Sequence, residues 1–145
     1  MRKKAAVLVC VTGQRDCDRL IRVGKEIAGE RTLPMQVLCV QSAASGYGAC
    51  GEELEYLRQT ARDAKAEMTV IFHDAAALIA AGFIRQIGAV HVVTGMAEAP
   101  TNGFIEVLHN LVPKIPISMV SREGIIYHIY PTNKDQKPHK LVTSN

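Results

Sequence analysis

The sequence contains no apolar stretch near the ~18 residues that a membrane-spanning helix requires, and runs such as Ala5 to Thr12 are far shorter. The basic opening, MRKKAAVLVCVTGQRD, does not make a secretion signal either, because Gly13, Gln14 and Arg15 break the apolar segment early. A cytoplasmic protein with no membrane association is expected. Charge of one sign is not in excess. The 17 basic and 14 acidic residues leave a net charge of +3, and no basic stripe is interleaved with aromatics, so nothing points to a nucleic-acid partner. Cysteine is sparse, at four residues, and no pair has C-x-x-C spacing. A disulfide framework is therefore not expected. Cys10 and Cys39 fall inside apolar runs, where cysteine acts as a small hydrophobe. Cys17 and Cys50 fall in loops or at helix starts, where a thiol is open to reaction, although unpaired thiols in a reducing compartment are the plainer reading. The histidines His73, His91, His109, His128 and His139 show no metal-ligand spacing. No G-x-S-x-G elbow, Walker loop or H-E-x-x-H is present, so no catalytic constellation is expected, and neither an enzyme nor a metal protein.

What is there is a chain of 145 residues, 48% hydrophobic and 21% charged, long enough for one domain with a real core. AAVLVCVT (Ala5 to Thr12) reads as a strand buried on both faces. A helix from Cys17 to about Glu30 follows, with Leu20, Ile21, Val23, Gly24, Ile27 and Ala28 inward and Asp16 as its N-cap. Met35 to Val40 is a second strand. EELEYLRQTARDAKA is a helix with the stripe Leu54, Leu57, Ala61, Ala64, its acids early and bases late, as the helix dipole favours. Glu67 to His73 is a third strand, followed by an alanine-rich helix with Asp74 as N-cap. Val90 to Gly95 is a fourth strand, Phe104 to Leu111 a helix, and Ile115 to Val120 a fifth strand. This alternation implies an α/β fold, an open parallel sheet with helices on both faces in three layers and right-handed crossovers. A turn at Ser121 to Gly124 leads to a sixth strand, Ile125 to Tyr130, which forms an antiparallel hairpin with the fifth. Residues 1–130 form the domain, and 131–145, polar with two prolines, form a flexible tail.

The loop SGYGACGEE (Ser45 to Glu53) contains Gly46, Gly48 and Gly51 in G-x-G-x-x-G order. In a dinucleotide fold the first glycine stands at the end of the strand, so that helix amides aim at the pyrophosphate. Here Gln41 to Ser45 intervene, and the motif lies in the second strand–helix unit. NAD binding through these glycines is a minor alternative, with Asp74 as its ribose acid. The main reading is a surface loop.

Ligands of open α/β sheets bind beyond the carboxyl ends of the strands, where the strand order reverses. The loops concerned are TGQRD after the first strand and GMAEAPTNG after the fourth. The segment VLVCVTGQRDCDRLIRVGKEIAGE resembles the opening of universal stress proteins, and especially the universal-stress-like domain of potassium-sensor histidine kinases. VPKIPISMV (Val112 to Val120) resembles the family's ending, a proline-flanked turn into the last strand. The resemblance spans roughly residues 4–120. It implies a Rossmann-like, adenine-nucleotide-hydrolase-like sheet of order 3-2-1-4-5 and a homodimer formed through the last strand. It also implies an adenine nucleotide such as ATP as the ligand. Val40 matches the family's adenine-contacting valine, Gly95 the first phosphate-loop glycine and Gly103 the third. Thr12 stands where nucleotide-binding members carry an aspartate, Glu98 replaces the second glycine, Phe104 replaces the hydroxyl residue, and the loop is shorter. A carboxylate where amides should meet phosphate disfavours a triphosphate. The expectation is a regulatory binding module with a degenerate nucleotide site lined by Thr12, Gly13, Val40, Thr94, Gly95, Asn102 and Gly103. Thr101 is a further polar candidate in the loop. The rival is an ATP-binding, slowly hydrolysing protein using the same cleft. A cyclic dinucleotide, held in some relatives by an S-x-S motif at the position of Thr12-Gly13-Gln14 and a second motif near Met35 to Cys39, is a minor alternative.

Asp16 and Asp74 both fall at the ligand edge, where they form either an acid pair or two helix caps. The apolar, aromatic last strand requires cover, since an unpaired edge of this kind is an aggregation hazard. Pairing with a second copy, through Ile117, Met119, Ile126, Tyr127 and Ile129, supplies that cover. No kinase domain follows in the sequence, so any signalling is expected to pass through a separate protein.

Overall fold

The computed structural model describes residues 5–43, 51–96 and 103–131. The elements are β1 (Ala6–Val11), α1 (Asp18–Arg31), β2 (Met35–Gln41), α2 (Gly51–Asp63), β3 (Glu67–Phe72), α3 (Ala76–Ile87), β4 (Ala89–Gly95), α4 (Phe104–Leu111), β5 (Ile117–Val120) and β6 (Ile126–Ile129). One six-stranded sheet runs in the order β3-β2-β1-β4-β5-β6. The first five strands are parallel and β6 is antiparallel to β5. The expected sheet order and the hairpin are both present. The expected tail lies outside the described residues, apart from Pro131.

Side chains that alternate along each strand divide the core into two halves. Val7, Val9 and Val11 of β1 face one way and pack with Leu20, Ile21 and Ala28 of α1 and with Leu57 and Ala61 of α2. Leu8 and Cys10 face the other way, toward Ala77, Ala80 and Ile84 of α3 and Leu108 of α4. This two-sided burial makes β1 uniformly apolar, as a central parallel strand has to be. At roughly 1.5–3 kcal/mol for each fully buried Val, Leu or Ile, the two half-cores are the main stabilising term. Gly24 lets α1 approach closely: a Cβ built there would stand 2.3 Å from Cγ2 of Val9 and 3.0 Å from the Met35 sulfur.

Two expected helix caps are not caps. Asp16 lies inside a short 3-10 turn, Arg15–Cys17, and Cys17 is the residue that precedes α1. Asp74 stands one residue before Ala75, the N-cap position of α3, and makes no cap bond there. Its Oδ1 accepts hydrogen bonds from the Ala43 amide (3.0 Å) and the Ser42 hydroxyl (3.3 Å), tying α3's approach to the loop after β2. Cys17 is buried and not reactive surface, and Cys10 and Cys39 are buried as expected. Cys50 lies outside the described residues. No helix among the described residues is long and apolar enough to cross a membrane.

Candidate functional site

Strand order reverses between β1 and β4, because β1 leads out to β2 on one side while β4 leads to β5 on the other. The carboxyl ends of these strands open a cleft of about 1220 Å³. Of the residues expected there, Thr12, Val40, Thr94, Gly95 and Gly103 line it. Gly13 does not, although Gln14, Asp16 and Cys17 on the turn that follows it do. Asn102, Thr101 and Glu98 lie outside the described residues, as do Gly46 and Gly48. Gly51, the last glycine of that motif, is the first residue of α2, and it does not line the cleft.

The inner wall is apolar: Cys10, Leu38 and Val40 from the strands, Ala80 from α3, Phe104 from α4 and Met119 from β5. Burial pushes the Cys10 thiol up to about 12, so it stays protonated at neutral pH and is a wall residue, not a nucleophile. The Thr12 hydroxyl lies 3.4 Å from the Cys17 sulfur. Thr94 is buried at the rim of the same wall.

Several polar groups of the cleft were not foreseen in the sequence. Arg19 is the main one. Its Nε donates to the Ser121 carbonyl (3.0 Å), one terminal nitrogen to the Val120 carbonyl (3.3 Å), and the other to the Asp16 carbonyl (2.9 Å). The guanidinium therefore joins the start of α1 to the carboxyl end of β5. It also pairs with the Asp16 carboxylate at 3.4 Å, and Arg122 lies 3.9 Å from the same carboxylate. Asp16 and Asp74 do both line the cleft, but each is held by partners of its own: Asp16 by two arginines, Asp74 by Ser42 and Ala43. Glu106 reaches back over the first turn of α4, where its Oε1 would stand 2.9 Å from a Cβ on Gly103. Gly103 has φ +75, the left-handed region that glycine enters at no steric cost. His73 accepts a hydrogen bond from the Ala75 amide on Nδ1 at 2.9 Å, which fixes the ring at the lip of the cleft.

Beside the cleft, α1 is pinned to α2. The Tyr56 hydroxyl donates to Asp18 at 2.6 Å, and the Arg15 guanidinium lies 4.3 Å over the Tyr56 ring. Burial would raise the Asp18 carboxyl, but the hydrogen bonds from Tyr56 and Arg22 outweigh it and hold the group below its ordinary range. On the far half of the sheet, His91 Nε2 and His128 Nδ1 each lie 2.8 Å from the Ser118 hydroxyl, a chain across β4, β5 and β6. Burial, then the charges of Arg31 and His128, push the His91 pKa down. No group of three or more His, Cys, Asp or Glu residues able to hold a metal occurs among the described residues.

The expected dimer edge also shifts. β5 is paired on both sides, and Ile117 is fully buried between β4 and β6, so it cannot meet another chain. Met119 and Ile129 pack against the α3–α4 half of the core and line the cleft. Among the described residues the sheet ends in β6, where Ile126 and Tyr127 are exposed, flanked by exposed Ile125 and Tyr130.

No protein-family model and no curated protein matches the chain at the level of sequence. Solved structures do match. A universal stress protein from Archaeoglobus fulgidus superposes with a TM-score of 0.62 at 14% identity, over 83% of this chain and 94% of that one. A universal stress protein in complex with cAMP gives 0.60 at 14% identity, over 83% of this chain and 99% of that one. The Archaeoglobus fulgidus universal stress protein in complex with dAMP gives 0.58 at 16% identity, over 81% and 97%. This chain therefore has the Rossmann-like α/β fold seen in universal stress proteins, with one antiparallel strand closing the sheet.

Proposed function

We propose that this chain is a regulatory binding module of the universal stress type, which takes an adenine nucleoside or nucleotide in the cleft between β1 and β4. The observation that carries the reading is the cleft itself. It opens at the reversal of strand order, and its wall combines Val40 with the hydroxyls of Thr12 and Thr94 and the bare backbone at Gly95. Two proteins of the same fold are described in complex with cAMP and with dAMP, which supports the adenine class. The segment from Val7 to Glu30, with its RLIR, supports a kinship with the universal-stress-like domains of potassium-sensor kinases. We further propose that the module acts as a homodimer, that it signals through a separate protein, and that it performs no catalysis. The last point is supported by the state of the cleft groups: Asp16 is paired with arginines, Asp74 is hydrogen-bonded to a loop, and Cys10 is protonated.

Calorimetric titration with dAMP and cAMP tests the reading. Binding is expected at micromolar strength and is expected to be lost in Val40→Trp, which fills the wall. No heat with either ligand, nor with adenosine, overturns it. Steady-state phosphate release from ATP, absent from Gly95→Val, would favour the hydrolysing rival.

A further inference from the structure

We infer that the cleft selects its ligand by charge, taking adenine nucleosides that carry little or no negative charge and rejecting the triphosphate. The inference rests on the adenine reading above and deepens it. Phosphate sites need donors that are open toward the ligand: amides at a helix start, or an arginine with free N–H groups. Here both kinds of donor are already engaged. Each of the three Arg19 guanidinium nitrogens is already engaged, by the Ser121, Val120 and Asp16 carbonyls, and one of them also faces the Asp16 carboxylate. Arg122 faces the same carboxylate. The first turn of α4, which would meet a phosphate, has the Glu106 carboxylate folded over it beside Gly103.

The remaining charge is of the wrong sign. Among the described lining residues the carboxylates are Asp16, Asp74 and Glu106, against two arginines. Asp16 is compensated by those arginines, whereas neither Asp74 nor Glu106 has an ion-pair partner among the described residues. A phosphate monoester carries about −1.5 to −2 at neutral pH, and each added phosphate brings more charge against the same two acids. The inner wall has no such conflict. Val40, Phe104 and Met119 offer an apolar surface to a flat base, and Thr12 and Thr94 offer hydroxyls.

The test is a titration panel of adenosine, cAMP, dAMP and ATP on the intact chain, each run at about 50 mM and about 500 mM salt. The expected affinity falls in that order, with ATP at least roughly tenfold weaker than adenosine, a difference of about 1.4 kcal/mol. High salt should narrow the gap by screening the repulsion. Glu106→Gln should raise ATP affinity about three- to tenfold while leaving adenosine unchanged, its folding verified by circular dichroism. Asp74→Asn should act in the same direction and serves if the first variant fails to fold. Equal or tighter binding of ATP, or an ATP affinity that falls with salt, overturns the charge selection and leaves the adenine reading standing. No binding by any of the four removes both.

Discussion

Two glycines on one helix make the packing argument measurable. Gly24 and Gly29 both lie in α1, but a Cβ at Gly24 would overlap Val9, whereas a Cβ at Gly29 meets nothing within 4 Å. Alanine at either position gains roughly 1 kcal/mol of helix propensity. At Gly24 the overlap with a fully buried side chain costs about 1–3 kcal/mol, because a close-packed interior has no room to give. Gly24→Ala is therefore expected to lose up to about 2 kcal/mol net, and Gly29→Ala to gain about 0.5–1 kcal/mol, both read from urea midpoints. A gain at both positions would mean that α1 can lift off β1 at little cost. Part of this was visible in the sequence, since Gly24 falls on the inner stripe with Leu20, Ile21 and Ala28. Arg19 was not visible. Its partners, the Ser121 and Val120 carbonyls, are 102 and 101 positions away, and no local pattern marks a side chain whose role is to join two distant strand and helix ends.

Among the elements, the strands and helices were legible from period and apolar content, and their starts were less so. Asp16 and Asp74 have the residue type and place of N-caps, yet one sits in a 3-10 turn held by arginines and the other turns back to Ser42 and Ala43. Tertiary partners outcompeted the local bond in both cases. The same competition produces the chain His91–Ser118–His128, three residues on three strands that no spacing rule would join. The Ser118 hydroxyl has one proton, so it donates to one ring and accepts from the other. A proton added to the His91 ring turns Nε2 into a donor to that hydroxyl and places a charge in a half-buried site. His91 is already held below its ordinary 6.5 by burial, then by Arg31 and His128. The unfolded chain thus binds the proton more readily, and stability rises with pH through this window. The stabilisation is complete above the unfolded value of 6.5 and is lost as pH falls through the lower folded value. The urea midpoint should drop on acidification from about pH 7.5 to about pH 5, and His91→Gln should flatten part of that slope. Asp18, also depressed, loses its contribution only as pH falls below its ordinary 3.8, so the two effects separate on the pH axis. An unchanged slope in His91→Gln would show that the ring is solvated as freely in the fold as outside it.

At the scale of the whole molecule, alternation of strand and helix implied the layered sheet, and a likeness to one family implied its order. The cleft followed from where that order reverses. The last strand was legible as an edge that needs cover, but not that its pairing with the fifth strand takes Ile117 out of that edge. β6 covers β5, so Ile117 becomes core and the exposed row passes to Ile125, Ile126, Tyr127 and Tyr130. Ile126 and Tyr127 alternate across the two faces of β6, and the strand's outer side has no paired strand among the described residues. A second copy related by a two-fold axis would pair β6 with β6, extending one sheet through two subunits and satisfying the edge amides of both. Light scattering on a size-exclusion column is expected to give twice the 15.8 kDa mass. Replacing Tyr127 and Ile126 together by lysine should raise the dimer dissociation constant by at least about a hundredfold, roughly 2.7 kcal/mol, since like charges would then face each other across the axis. The hairpin turn, held by the Ser121 hydroxyl and the Ile125 amide at 3.0 Å, lies outside the substitution and keeps β6 in register on β5. A wild-type chain that elutes as a monomer at all concentrations would remove the dimer. A double-lysine variant that stays dimeric would move the interface away from β6, and the exposed apolar side chains Leu78 and Val107 on α3 and α4 would be the next surface to test.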